Sequence, residues 1–143
     1  MRRVVAVLLA SAVSGALGAC GRTGSSGPPQ IRYGEELCAS CRMLVTDELF
    51  AAALRTANGE PRVFDDIGCL LRELAVRGAA AGPVWVHDYG TGAWVDARSA
   101  AYVSSPEVVS PMGYGLVAFS TRPSAEAFAR DVQGTVLEFS ELV

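Results

Sequence analysis

Two stretches of the chain share one order of predicted elements, and this order restricts the fold more than any other feature. In the first stretch, the β-type run Val63-Phe64 precedes a helix that Gly78 ends, and Val84–Val86 follows as a strand. In the second stretch, Ala118-Phe119 precedes a helix, and a strand follows at Val136–Phe139. A hairpin, a helix and a strand in each half predict an α+β fold with an internal structural repeat.

The first helix has clear start and end signals. Asp65 is predicted to be its N-cap, and Asp66 suits the positive end of the first turn. Apolar residues recur at helical spacing until Gly78, and they are Ile67, Leu70, Leu71 and Leu74. Cys69 lies on the opposite side of this stripe, so we predict that it does not share the same core face.

Other elements follow from β-type runs and turn residues, with Asn58-Gly59 as a hairpin turn. Thr121 is predicted to cap the second helix, with Pro123 in its first turn and Gly134 at its end. The inward face of that helix consists of Ala125, Phe128, Ala129 and Val132. The remaining predicted strands are Met43–Thr46, Phe50–Thr56, Arg62–Phe64, Val84–Tyr89, Ala93–Ala97, the start of Tyr102–Val109 and Leu116–Ser120.

Residues 1–19 are typical of a secretory signal. The apolar run Val4–Val13 follows a basic start and is too short to span a bilayer, and Leu17–Cys20 matches a lipobox. We therefore predict that Cys20 is lipidated, the alternative being an ordinary signal with an unrelated cysteine. Residues 20–32 are rich in Gly, Ser and Pro and are predicted to be a flexible tether. The chain is thus expected to be an extracytoplasmic lipoprotein, anchored in a membrane by its lipid and facing the periplasm, with the outer membrane as the expected location.

The charge of the chain limits its partners. The formal net charge is −3, and the chain becomes more acidic once Arg2 and Arg3 leave with the signal. No basic run remains in the sequence. We therefore exclude nucleic acid as a partner, and also electrostatic docking on anionic lipid.

Three sulfur side chains fall within the six residues from Cys38 to Met43. If Arg42 opens an extended run, Cys41 and Met43 face the same side and can share a metal ion, with Cys38 curling back from the preceding turn. Thiolate and thioether donors select Cu(I), Zn(II) or an iron–sulfur cluster. Because zinc seldom takes thioether sulfur, this combination favours Cu(I).

Three residues elsewhere are further candidates. Cys69 either packs in the structure or helps to bind metal, and a position near a helix N-terminus would lower the pKa of its thiol. His87, the only histidine, is either a hydrogen-bonded structural residue or a ligand. Met112 lies between Pro111 and Gly113, and it either plugs a core or reaches the first sulfur cluster as a ligand. Another alternative is a disulfide between Cys38 and Cys41, with Cys69 inert.

Five motifs follow the lipobox in a fixed order, and they are Cys38–Met43, Phe64–Cys69, Val86–Tyr89, Trp94–Ala97 and Pro111–Gly115. Taken together, these motifs resemble the NosL family of nitrous oxide reductase accessory lipoproteins. The similarity extends from about Tyr33 to Val143. The resemblance implies a membrane-anchored Cu(I) chaperone and not an enzyme, with nitrous oxide reductase and its ABC-type maturation complex as partners.

The resemblance also implies a detailed fold and site. It implies two ββαβ modules, at residues 33–89 and 90–143, distantly similar to organomercurial lyase. The Cu(I) ligands it implies are Cys41, Met43 and Met112. One cysteine can suffice in this family, so Cys38 is a less certain ligand, and His87 or an aspartate would complete the set.

Two other classes of protein remain as alternatives. One is an extracytoplasmic enzyme that uses Cys38 and Cys41, either a thiol oxidoreductase or an enzyme similar to a mercury lyase. A redox Cys-x-x-Cys pair normally opens a helix, whereas this pair precedes a predicted strand and lies beside Met43. The other alternative is a structural zinc module.

Overall fold

The structure is a computed structural model that describes residues 27–78 and 81–143. The predicted signal, Cys20 and most of the predicted tether lie outside the described residues. In the part of the chain that is described, no helix combines the length and the apolar character needed to cross a bilayer.

The described chain contains seven strands and three helices. The helices are α1 (Ile67–Arg77), α2 (Arg122–Asp131) and α3 (Phe139–Leu142). The strands are β1 (Ala52–Thr56), β2 (Pro61–Phe64), β3 (Ala81–His87), β4 (Trp94–Asp96), β5 (Ala101–Ser104), β6 (Leu116–Phe119) and β7 (Thr135–Glu138). The short helix α3 had no counterpart among the predicted elements.

The strands form two antiparallel sheets, which confirms the expected mixed fold. One sheet has the order β2-β1-β3-β4, and the other has the order β6-β5-β7. In each sheet the first strand in sequence pairs with both the second and the third, and one helix packs against the sheet. The predicted module boundary at residue 90 stays a prediction. The strand β4 lies beyond this residue and pairs with β3.

Two hydrophobic clusters fill the interior. The first surrounds α1 and its sheet and includes Phe64, Ile67, Leu70, Val84 and Val86. The second lies between α2 and the three-stranded sheet and includes Phe50, Val103, Val117, Phe119 and Ala125. Each helix therefore contributes its apolar face to a different part of the core.

Asp88 connects the two sheets. Its backbone makes a parallel bridge to Ala118, and the N–H of Tyr89 donates to the Ala118 carbonyl at 2.8 Å. One carboxylate oxygen of Asp88 accepts from the Ser120 N–H, and the other accepts from Thr91. A single buried aspartate thus fixes the end of β3 against the end of β6.

The expected strand at Met43–Thr46 is wrong. Arg42 has a φ of 68°, which is incompatible with an extended run, and only Leu44 forms an isolated bridge, to Leu37. The Val45 N–H donates instead to the Glu36 carbonyl at 2.9 Å. This segment is therefore an irregular hairpin that pairs with the chain just before it.

The start of α1 also differs from the prediction. Asp66 is the N-cap, and its side chain accepts from the Gly68 N–H at 2.9 Å, whereas Asp65 lies outside the helix. The other end agrees, because Gly78 has a φ of 53° and closes α1. Thr121 caps α2 as expected by accepting from the Ser124 N–H.

Candidate metal centre

The Cys38–Met43 segment folds into a tight loop on the edge of the first sheet. The Cys38 N–H donates to the Met43 carbonyl at 2.7 Å, and the Arg42 N–H donates to the Cys38 carbonyl at 3.1 Å. The left-handed conformation of Arg42 lets the chain reverse within so few residues. The Ala39 N–H donates to the Val63 carbonyl of β2, and this bond docks the loop on the sheet.

Four potential ligand atoms converge between this loop and the start of α1. They belong to three free cysteines and one aspartate, and they all lie within 4.8 Å of one another. The Cys41 thiol donates to a carboxylate oxygen of Asp65 at 3.3 Å. We call these residues the thiol cluster, and its members are Cys38, Cys41, Asp65 and Cys69.

The thiol cluster is mostly inaccessible to water. Cys38 and Cys69 are fully buried, Asp65 is 2% exposed, and Cys41 is half-buried. Burial raises the pKa of Cys41 to about 11, although a hydrogen bond from the Met43 backbone opposes this shift. Burial also raises the pKa of Cys69, assisted by Cys38 and Asp65 nearby. Burial therefore favours the neutral thiol of Cys41 and of Cys69, and metal binding has to displace their protons.

The prediction that Cys69 lies away from the core face is wrong, and the alternative of a thiol with a lowered pKa is not supported. Cys69 lies in the same buried cluster as Ile67 and Leu70, not on a separate face. Its pKa is raised, whereas proximity to a helix N-terminus was expected to lower it. Both differences have one cause, since the first turn of α1 is buried and burial is the largest contribution to the raised pKa of Cys69.

A second loop covers the start of α1 and brings Met112 to it. Asp66 accepts from the Met112 N–H at 3.0 Å through the oxygen that does not cap the helix. The ring of Tyr114 lies directly over Gly68, where a Cβ atom would come within 2.0 Å of the ring. The Tyr114 side chain also raises the pKa of Arg72 on the next turn of the helix. The loop therefore contacts the start of α1 at both Asp66 and Gly68.

Met43 and Met112 line one open groove with a volume of about 810 Å³. Their side chains are 59% and 39% exposed, so Met112 does not plug the core. Asp65 lines the same groove and also belongs to the thiol cluster. The exposed thioethers and the buried thiols are therefore adjacent, with Asp65 between them.

His87 is not part of this arrangement. Its Nδ1 lies 2.8 Å from the Gly92 carbonyl and its Nε2 lies 3.2 Å from the Tyr33 hydroxyl. Because a carbonyl only accepts, Nδ1 carries the proton and Nε2 accepts from Tyr33. Burial lowers the pKa of His87, and its ring stacks on Trp94 at a centroid distance of 3.7 Å. These contacts fit the structural interpretation of His87.

Sequence reasoning allowed for an aspartate ligand without identifying Asp65, and it treated Cys69 as secondary. The available signal was the pair Asp65-Asp66, because a helix needs only one N-cap and the other carboxylate is free for a second role. The structure brings Cys38, Cys41 and Cys69 together and places Met43 and Met112 in the adjoining groove. The choice of metal ligands among these side chains stays a prediction.

Two comparisons with known proteins each give a match. The NosL family model matches residues 30–143. The crystal structure of the copper chaperone NosL from Shewanella denitrificans is similar with a TM-score of 0.69 and 23% sequence identity, covering 80% of this chain and 96% of that chain. At this identity the structural likeness concerns the fold. No curated protein matches the chain.

Proposed function

Since this chain belongs to the NosL family, we propose that it is a copper chaperone whose cargo is Cu(I). The similar fold of the Shewanella denitrificans copper chaperone supports this function. The observation that carries the proposal is the shared groove of Met43 and Met112, which adjoins the Cys41 thiol through Asp65. Soft sulfur donors from two distant parts of the sequence thus lie around one accessible space.

Cys41, Met43 and Met112 are the proposed Cu(I) ligands. Thiolate with thioether is a combination that Cu(I) accepts and that zinc seldom takes. Cys41 is the least buried cysteine of the thiol cluster, and its thiol contacts Asp65, which lines the groove. Cys38 is fully buried and is the less certain ligand.

Transfer of the cargo would proceed by ligand exchange. A site with few ligands and exposed thioethers leaves room for a sulfur donor of a receiving protein to enter. The incoming donor bonds to Cu(I) as one of the original ligands leaves, so the ion passes between proteins without release to water. No bond of a small substrate is made or broken, so the proposed role is not enzymatic.

The cellular setting is proposed from the family and the lipobox. We propose that Cys20 carries the lipid anchor, that the domain faces the periplasm, and that the copper is used in maturation of nitrous oxide reductase with its ABC-type complex. We also propose that the two sheets, each with its helix, are repeated ββαβ modules distantly similar to organomercurial lyase. The repeat is supported by the arrangement of the first three strands, since in both sheets the first strand lies between the second and the third.

The thiol oxidoreductase alternative is disfavoured by the environment of the cysteines. A catalytic thiol needs a lowered pKa, whereas burial raises that of Cys41 to about 11. Cys38 and Cys41 also lie in a loop and not at a helix N-terminus, where redox Cys-x-x-Cys pairs are usually found.

Anaerobic Cu(I) titration of the full chain in detergent, in competition with a Cu(I) chelator, tests the proposal. We expect Cys41→Ser to weaken Cu(I) binding about a hundredfold or more, and Met43→Leu with Met112→Leu about tenfold. Val109→Ala is the control, because Val109 lines the same groove without a sulfur atom. If both sulfur variants bind Cu(I) as tightly as the parent protein, the proposed site is wrong.

A further inference from the structure

The buried side chain of Asp66 joins the start of α1 to the loop that carries Met112. We propose that Asp66 is a positioning residue, which holds Met112 in place for the Cu(I) cargo without binding the ion itself. The proposal rests on the proposed function, because it takes Met112 as a Cu(I) ligand.

The two carboxylate oxygens of Asp66 have different partners. One accepts from the Gly68 N–H at 2.9 Å and caps α1, and the other accepts from the Met112 N–H at 3.0 Å. Capping needs only one side-chain oxygen. The second hydrogen bond is therefore not required by the helix, and it connects residues that are 46 positions apart in the sequence.

Hydrogen bonds within the Met112 loop fix its shape but not its place over α1. The Ser110 carbonyl accepts from the Gly113 N–H at 3.0 Å, and the Ser110 hydroxyl accepts from the Gly115 N–H at 3.1 Å. Both bonds lie inside residues 110–115. The place of the loop depends on the Asp66 bond to Met112 and on the Tyr114 ring over Gly68.

The backbone position of Met112 matters because its side chain is not fixed by packing. The side chain is 39% exposed, and methionine has three rotatable bonds. A sulfur atom on such a side chain loses conformational freedom when it binds an ion. A fixed backbone restricts the space that the sulfur explores before binding, so less freedom is lost on binding.

Asp66 also relates the thioether to the thiol side of the proposed site. It follows Asp65 directly, and Asp65 accepts from the Cys41 thiol at 3.3 Å. The backbone of Met112 is thus held by the same helix start that contacts Cys41. Loss of the second Asp66 bond would free the loop while leaving this helix start capped.

Asp66→Ser and Asp66→Asn separate capping from positioning. Serine and asparagine cap helices about as well as aspartate, but neither supplies a second carboxylate oxygen for the Met112 N–H. We expect the Met112 amide of the metal-free variants to exchange with solvent at least about tenfold faster, while the Gly68 amide stays protected. Hydrogen exchange followed by NMR measures both amides without any metal present.

Anaerobic Cu(I) titration of the full chain in detergent, against a Cu(I) chelator, gives the effect on the cargo. We expect Asp66→Ser to weaken binding about fivefold, less than many outer-shell changes because it acts through one thioether. Adding Met112→Leu to Asp66→Ser should cause no loss beyond that of Met112→Leu alone. X-ray absorption should show the same reduced number of sulfur ligands in Asp66→Ser as in Met112→Leu.

Thr121→Ala is the control for an effect of stability alone. It removes the cap of α2, so it should lower the stability and leave Cu(I) affinity unchanged. Circular dichroism checks that Asp66→Ser is folded, and if it is not, Asp66→Asn decides.

Three results would overturn the positioning role. They are parent-like Cu(I) affinity in both Asp66 variants, equal effects of Asp66→Ser with and without the Met112 sulfur, and parent-like affinity in Met112→Leu. The proposed function fails by a different result, which is parent-like affinity in Cys41→Ser and in Met43→Leu with Met112→Leu. Loss of binding in Cys41→Ser with no effect at Asp66 would leave the proposed function standing and remove only the positioning role.

Discussion

The helices α1 and α2 pack against sheets in which the first three strands have the same arrangement, yet their first turns lie in opposite environments. Ile67, Gly68 and Cys69 at the start of α1 are all buried. Residues 121–124 at the start of α2 are all exposed. Both helices begin at a side-chain N-cap, Asp66 in α1 and Thr121 in α2. Both helices are therefore capped by a side-chain oxygen, and they differ in whether the first turn is buried.

The difference coincides with the positions of the candidate metal ligands. Two loops cover α1, one with the cysteine pair and one with Met112 and Tyr114. Every candidate sulfur ligand among the described residues lies on or beside this helix start, and none lies at the start of α2. The shared arrangement of the first three strands therefore says little about metal binding, which depends on what the loops place over α1.

The largest effect is expected from crowding the covered helix start with Gly68→Ala. The added Cβ would meet the Tyr114 ring at 2.0 Å, so the loop has to move away. We expect a loss of about 3 kcal/mol in the free energy of unfolding, measured by urea denaturation of the metal-free protein.

Two variants serve as controls for Gly68→Ala. Adding Tyr114→Ala removes the clashing ring and should recover most of the lost stability. Arg122→Ala at the exposed first residue of α2 should change the stability by less than about 0.5 kcal/mol. A small effect of Gly68→Ala would mean that the Tyr114 loop does not cover α1 tightly.

Removing the two N-caps should lower the free energy of unfolding by unequal amounts. Asp66→Ala removes a cap and also leaves the Met112 N–H without its acceptor, so we expect a cost of about 2 kcal/mol. Thr121→Ala removes only an exposed cap and should cost about 1 kcal/mol. Equal losses in urea denaturation would show that burial of the first turn contributes nothing.

A smaller, pH-dependent effect is expected at Asp88, which joins the two sheets. Burial alone would raise the pKa of Asp88, but hydrogen bonds from Ser120 and Thr91 outweigh it and keep the pKa below the usual value. The stabilisation is therefore complete above the unfolded pKa of about 3.9 and is lost as the pH falls through the folded value.

The test is Asp88→Asn, compared with the parent protein by urea denaturation over a pH series. We expect the variant to be less stable by about 1 kcal/mol at pH 7, with the difference shrinking below about pH 4. A difference that stays constant down to strongly acidic pH would contradict the role of the Asp88 charge.

Elements with local signals were predictable from the sequence. The hairpin turn at Asn58-Gly59 is present, with a φ of 82° at Gly59, because the turn depends on a few adjacent residues. The end of α1 at Gly78 and the cap of α2 at Thr121 were predictable for the same reason. Helix caps and turns are decided by neighbours in sequence.

Features that depend on distant parts of the chain were not predictable. Leu44 and Val45 have β-type side chains, but the left-handed Arg42 keeps their segment out of both sheets. The helical period placed Cys69 away from the core, since it could not show that two loops cover α1. The sequence did not show which of the two aspartates caps the helix. Asp66 is the cap, and Asp65 lies in the thiol cluster.

The bond between the Ala39 N–H and the Val63 carbonyl has a consequence for solubility. β2 is an outer strand of its sheet, and an uncovered outer strand offers unpaired backbone groups to strands of other molecules. The cysteine-bearing loop occupies part of that edge. The segment that presents Cys38 and Cys41 therefore also protects the protein from aggregation through strand addition.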